Sequence, residues 1–185
     1  LDEADHMLDM GFLPDVKRIL KYLPRDRQNL LFSATMPGPI RKLADEILVD
    51  PVTIQIAPQK PTVERIEQSI CFVAQADKPR LLSHFVETKA TGSTLVFTRT
   101  KHGADAVARR LVKAGVKAAA IHGNKTQANR VRTLNKFKND ELDVLVATDV
   151  AARGIDIDGI QTVINYDTPN TPEAYVHRIG WTGRA

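Results

Sequence analysis

Residues 94–112 read Thr94-Leu95-Val96-Phe97, then Thr98-Arg99-Thr100, then Lys101-His102-Gly103-Ala104-Asp105-Ala106-Val107-Ala108-Arg109-Arg110-Leu111-Val112. A short β-prone run passes through a polar turn straight into a segment of helical period. In that segment Ala104, Val107, Ala108, Leu111 and Val112 fall on one face, and Gly115 can end it. The same unit recurs downstream. Ala118–Ile121 leads through His122-Gly123-Asn124 to a helix over roughly 126–138, and Val144–Ala147 runs into Thr148-Asp149-Val150. Thr162–Asn165 precedes a helix over 172–179, which opens with Thr171-Pro172-Glu173: an N-cap, a proline in the first turn and an acid near the positive end of the dipole. Upstream, Ile70–Val73 reads as a strand with Cys71 facing the core, and a helix follows over 78–88. Strands bounded by helices predict an α/β fold, a mostly parallel sheet covered by helices on both faces.

The first third of the chain is organised differently. Asn29-Leu30-Leu31-Phe32 and Val52-Thr53-Ile54-Gln55-Ile56 read as strands, with Ile40, Leu43, Ala44, Ile47 and Leu48 at helical spacing between them. Two prolines among polar residues, Ala57-Pro58-Gln59-Lys60-Pro61-Thr62, then break the pattern and mark a linker over 57–63. The expected domains are therefore 1–56 and 64–185. Residues 1–56 hold seven basic and nine acidic side chains, a net of −2, whereas 57–185 hold nineteen and thirteen, a net of +6. A basic excess on one part is compatible with binding a polyanion and equally with a solvated surface. One cysteine excludes a disulfide scaffold and a four-cysteine zinc site, and fits a reducing compartment. No apolar run approaches the roughly 18 residues of a membrane span and no leader opens the chain, so a soluble, cytoplasmic protein is expected. The first residue is Leu1, which suggests a piece of something longer.

Open parallel sheets bind ligands at the carboxyl ends of their strands. Thr98-Arg99-Thr100, His122-Gly123-Asn124 and Thr148-Asp149-Val150 all fall there, which predicts a polar binding rim. At the start of the chain, Asp2 and Glu3 could hold a hydrated Mg²⁺ and orient a water, as phosphoryl transfer requires, or could be ordinary acids at a helix start. His102 and His122 lack metal-ligand spacing. Gly123-Asn124-Lys125-Thr126 is not a phosphate loop, because Ala118 stands where the first glycine is needed and Asn124 separates Gly123 from the lysine.

Taken in order, Leu1-Asp2-Glu3-Ala4-Asp5, Ser33-Ala34-Thr35, Ala147-Thr148-Asp149 with Ala152-Arg153-Gly154-Ile155-Asp156, and His177-Arg178-Ile179-Gly180 with Thr182-Gly183-Arg184 resemble the DEAD-box family of ATP-dependent RNA helicases. The similarity spans essentially the whole chain. The wording of Leu95–Ala104 and Ala120–Lys125 looks closest to the bacterial RhlE-type subgroup. The resemblance implies a second RecA-like helicase domain over 64–185, truncated at its end, and the C-terminal fragment of a first RecA-like domain over 1–56. It implies ATP and Mg²⁺ as cofactors and RNA as partner. Asp2 would hold Mg²⁺ through water, Glu3 would position the attacking water, and Asp5 would brace the motifs around the nucleotide cleft. Ser33 and Thr35 would link hydrolysis to closure of the two domains. Asp156, with Gly154 allowing close approach, would contact the ribose side; His177 would bridge the motifs around the γ-phosphate, which Arg184 would reach. Thr100, Gln127, Arg130, Thr148 and Asp149 would grip the RNA sugar-phosphate backbone, with Arg153 tying that surface to the first domain. Gln127 and Arg130, one helical turn apart, could also be a plain solvated face.

Two departures from the family pattern stand out. No Gly-x-x-x-x-Gly-Lys-[Ser/Thr] occurs, so the 185 residues by themselves are not expected to hydrolyse ATP at a helicase-like rate, and 1–56, short of most of a sheet, is expected to be poorly stable alone. Trp181 stands where the family places an arginine that reaches the γ-phosphate; an indole cannot donate a forked, charged pair of hydrogen bonds. A sequence error or primer artefact, one base change away from an arginine codon, or a genuine variant that binds nucleotide and RNA but turns over poorly, accounts for it. The alternative reading is a non-catalytic RNA-binding or adaptor module with a RecA-like fold. A dinucleotide-binding dehydrogenase shares the alternation but needs a Gly-x-Gly-x-x-Gly that is absent here.

Overall fold

The computed structural model describes residues 1–9, 11–56, 66–152, 155, 157 and 159–182. The chain divides into two compact units, Leu1–Ala57 and Pro58–Ala185. The linker expected over 57–63 lies outside the described residues, as do Arg153, Gly154, Asp156 and Arg184.

The first unit is built from α1 (Ala4–Asp9), α2 (Leu13–Leu20) and α3 (Gly38–Ile47). The apolar spacing in α3 is used as expected: Ile40, Leu43 and Ala44 are buried, as are Ala4 of α1 and Val16 of α2. Lys17 of α2 pairs with Glu46 of α3 at 2.7 Å, and Asn29 Nδ2 donates to the Ile47 carbonyl at the end of α3.

The expected strands 29–32 and 52–56 do not form. Leu30 and Phe32 make a short parallel pairing with the chain start: Leu1 N donates to Leu30 O, Phe32 N to Leu1 O and Ala4 N to Phe32 O. Residues 52–56 make no backbone hydrogen bond to another described residue, and Ile54 is 83% exposed. A β-prone sequence becomes a strand only where a neighbouring strand supplies the other half of its ladder.

The second unit holds α4 (Lys78–Thr88), β1 (Thr94–Phe97), α5 (Lys101–Lys113), β2 (Ala118–Ile121), α6 (Gln127–Lys138), β3 (Val144–Ala147), α7 (Asp149–Ala152), β4 (Thr162–Asn165) and α8 (Pro172–Ile179). Its four strands are all parallel in the order β2-β3-β1-β4. Alternation along the strands sends side chains to two cores. Leu95, Phe97, Leu145 and Ala147 pack with Phe137 of α6, Ala151 and Ala152 of α7, and Ile155, Ile157 and Ile160. Val96, Val144 and Val146 pack on the other face with Leu82 of α4 and with Ala104, Val107, Ala108 and Leu111 of α5. Helices thus cover both faces. Gly115, at φ +90°, follows the end of α5 as expected.

The expected strand 70–73 is the third that does not form. Phe72 is 98% exposed and Cys71 is exposed rather than core, because this stretch pairs with none of the described strands.

Candidate functional site

Parallel register fixes where the polar turns emerge. Phe97 is level with Ala147 and Asn165, and Ala147 with Ile121, so the turns after β1, β2, β3 and β4 leave the sheet along one rim. Each turn is then held by its own hydrogen bonds. Thr98 N extends the ladder by donating to Ala147 O, and its buried hydroxyl points at the Thr100 and Ala147 carbonyls. Thr100 caps α5, its Oγ1 accepting from Gly103 N. A Cβ at Gly103 would sit 3.1 Å from that same Oγ1, a tight contact beside the cap. Thr126, the N-cap, accepts from Asn129 N and so starts α6 at Gln127. Arg130 donates to Gln127 Oε1 at 3.2 Å, joining two of the expected RNA-contacting side chains in the first turn of α6. A groove of about 600 Å³ runs along this helix past Gln127, Arg132, Asn135 and Lys136.

At the centre of the rim lies a residue that sequence reasoning did not single out. Arg178 of α8 is buried, yet each of its three guanidinium nitrogens donates. Nε and Nη2 bind the two carboxylate oxygens of Asp149 at 2.6 and 2.8 Å, and Nη1 donates to Asn165 Oδ1 and the Asp167 carbonyl. The guanidinium also stacks 4.8 Å from the centre of the Phe97 ring. Asp167 in turn accepts from Arg99 N and lies 3.4 Å from Lys78 Nζ. Asp149, expected as an RNA contact, is thus fixed through both oxygens. Thr148, beside it, starts α7 through its carbonyl. The available signal was positional: Arg178 sits on the same helical stripe as Ala174 and Trp181, and a charge on a buried stripe needs a charged partner. His177, its neighbour, is half-buried. Trp181 packs, partly buried, against the core cluster that includes Leu95, Phe97 and Phe137.

A second polar cluster ties the β2–α6 turn to α5. Asp105 Oδ1 lies 2.9 Å from Lys125 Nζ, and Asp105 Oδ2 lies 3.1 Å from Nε2 of the buried His122; Lys101 Nζ donates to Asn124 Oδ1. Burial would raise the Asp105 pKa, but the Lys125 ammonium and the His122 ring outweigh it and hold the carboxyl below its usual range.

In the first unit, Asp5, Ser33 and Thr35 come together. Asp5 is buried, and its Oδ2 accepts from both the backbone N and the Oγ1 of Thr35 at 2.8 Å; Asp5 N donates to Ser33 Oγ, which donates onward to the Thr35 carbonyl. Asp2 and Glu3 lie beside this network and are exposed. Glu3 has φ +50°, a left-handed conformation uncommon for glutamate, with its N–H donating to Asp2 Oδ1. Solvated, hard carboxylate oxygens suit Mg²⁺, which gives up its waters reluctantly, so Asp2 fits a metal held through water.

A parallel sheet covered on both faces, with a polar carboxyl rim and a separate acidic turn braced by Ser33 and Thr35, is the layout of a RecA-like helicase. The helicase conserved C-terminal domain model matches residues 77–185, and the DEAD/DEAH box helicase model matches residues 1–43. The chain belongs to the DEAD-box helicase family. It is 50% identical over all 185 residues to the ATP-dependent RNA helicase CshA of Listeria monocytogenes, of which it spans 36%. To the DEAD-box ATP-dependent RNA helicase RhpA of Helicobacter pylori it is 47% identical, spanning 38%. Among solved structures, S. cerevisiae Dbp5 bound to RNA and ADP BeF3 superposes with a TM-score of 0.85 at 34% identity, covering 100% of this chain and 49% of that one. A DEAD box protein from Methanococcus jannaschii does so at 0.62 and 42% identity, covering 100% and 50%. The chain thus spans about two-fifths or less of these curated relatives. The relatives named here are CshA and RhpA proteins and do not confirm the narrower RhlE-type likeness. Among the described residues, no helix is long and apolar enough to cross a membrane.

Proposed function

We propose that this chain is the RNA-gripping part of a cytoplasmic ATP-dependent RNA helicase, together with the acidic turn that serves its nucleotide. The observation that carries the reading is the convergence of three polar turns, 98–100, 122–130 and 148–149, on one rim of a parallel sheet. Thr100, Gln127, Arg130, Thr148 and Asp149 line the RNA path, and Arg178 keeps Asp149 in register. Hydroxyl, amide and guanidinium groups suit phosphates and ribose hydroxyls, which are what A-form RNA leaves accessible, so binding is independent of base sequence. Arg153 would extend the grip, and Gly154, Asp156, His177 and Arg184 would hold ATP. Asp2 would hold Mg²⁺ through water; bound Mg²⁺ neutralises charge on the phosphates. Glu3 would orient a water, while Asp5 fixes the Ser33–Thr35 turn beside it. That Dbp5 is solved with RNA and ADP BeF3 supports the RNA and nucleotide assignments.

A second reading, an RNA-binding module without turnover, is favoured by one observation: Trp181 is partly buried against the core.

Fluorescence anisotropy tests the shared part. Two single-stranded RNAs of unrelated sequence should bind the chain with affinities within about threefold of each other. The affinity should fall with salt, and Arg130→Ala should make the log–log salt slope shallower by about 0.7, the value for one phosphate contact on a single strand. Marked preference for one sequence, or a salt-insensitive affinity, would remove the backbone grip.

A further inference from the structure

We propose that Asp105 is a positioning residue for the RNA grip: it latches the β2–α6 turn to α5, so that Thr100 at the start of α5 and Gln127 and Arg130 at the start of α6 face one strand in fixed register. The inference rests on the RNA reading above and deepens it. Neither His122 nor Lys125 has a use in that reading, although they occupy the turn between β2 and the gripping helix.

The latch has two polar ties, Lys125 to Asp105 and Lys101 to Asn124, and one close approach, of Asp105 to a His122 ring whose nitrogens make no hydrogen bond of good geometry. Asp105 meets the buried His122 at 3.1 Å and Lys125 at 2.9 Å, one at each end of the turn 122–125. Lys101, the first residue of α5 after its Thr100 cap, donates to Asn124 between them at 3.0 Å. The turn is therefore held to α5 at Asn124 and Lys125, with His122 packed beside Asp105, directly before Thr126 caps α6. A carboxylate that stays ionised suits this task, and the lowered Asp105 pKa agrees with it.

Electrostatics gives the test a sign. Asp105 is an anion close to a polyanion path, so deleting its charge should tighten RNA binding if charge were all that mattered. Loss of a latch predicts the reverse. At fixed salt, with folding checked by circular dichroism, Asp105→Asn in the full chain should weaken binding of single-stranded oligouridylate by about tenfold. The loss should not add to that of Arg130→Ala, because Asp105 acts through the helix that carries Arg130. Unchanged or tighter binding by folded Asp105→Asn, or losses that add in full, would overturn the latch. If Asp105→Asn does not fold, Asn124→Ala, which cuts a tie without changing charge, decides in the same cycle. A loss of about threefold that does not add to Arg130→Ala supports the latch, and an unchanged affinity overturns it. Should Arg130→Ala alone leave the affinity untouched, the RNA reading of α6 fails first, and that outcome is separate from failure of the latch.

Discussion

Arg178→Met should destabilise the second unit by about 3 kcal/mol, read as a fall in melting temperature of about 10 °C. The guanidinium is buried and its removal strands the Asp149 carboxylate, the Asn165 amide oxygen and the Asp167 carbonyl together. Breaking a fully buried pair costs about 3–5 kcal/mol. The Asp149 side chain is 40% exposed, so water can reclaim part of its charge, and the lower end applies. Asp149→Asn on top of Arg178→Met should recover part of the loss, because the orphaned charge is then gone. Arg178→Lys should not rescue, since an ammonium cannot bind two carboxylate oxygens and a side-chain amide in one plane. A loss under about 1 kcal/mol for Arg178→Met would mean that the rim does not depend on this residue.

Trp181→Arg should move stability and turnover in opposite directions. Trp181 packs, partly buried, against the core cluster that holds Phe97 and Phe137, and exchanging that indole for a charged side chain should cost about 2 kcal/mol in thermal or denaturant unfolding. The family resemblance puts a γ-phosphate arginine at this position. In a polypeptide that joins this chain to a phosphate-loop lobe from a relative such as Listeria CshA, the same change should raise ATP turnover on the order of 10³-fold. Unchanged unfolding would show that the indole contributes no packing, and unchanged turnover would remove any catalytic meaning from it.

The second unit was legible because its strands are short, apolar and bounded by caps. Leu95, Val96 and Phe97 needed only their neighbours β3 and β4, and both are present. Ile54 and Phe72 have the same local character but no partner among the described residues, and propensity without a ladder leaves them in solvent. Cys71 was misplaced for the same reason. The threonine cap at 171 was readable from the following proline and glutamate. Arg178 and Asp105 were not readable, because their partners lie 29 and 17 residues away, on elements brought close only by the packed sheet. The acidic turn fell between these cases. Asp5, Ser33 and Thr35 were named from the family pattern, and the structure brings them into one hydrogen-bonded group.

The most direct measurement is photocrosslinking of thiouridine-substituted single-stranded RNA to the chain, with the crosslinked peptides read by mass spectrometry. RNA lying across the carboxyl rim predicts adducts within 98–102, 122–130 and 148–150, all lost on competition with unlabelled RNA of unrelated sequence. Adducts confined to the hollow at the amino ends of the strands, lined by Glu87, Ser93, Asp140 and Asp143, would contradict it.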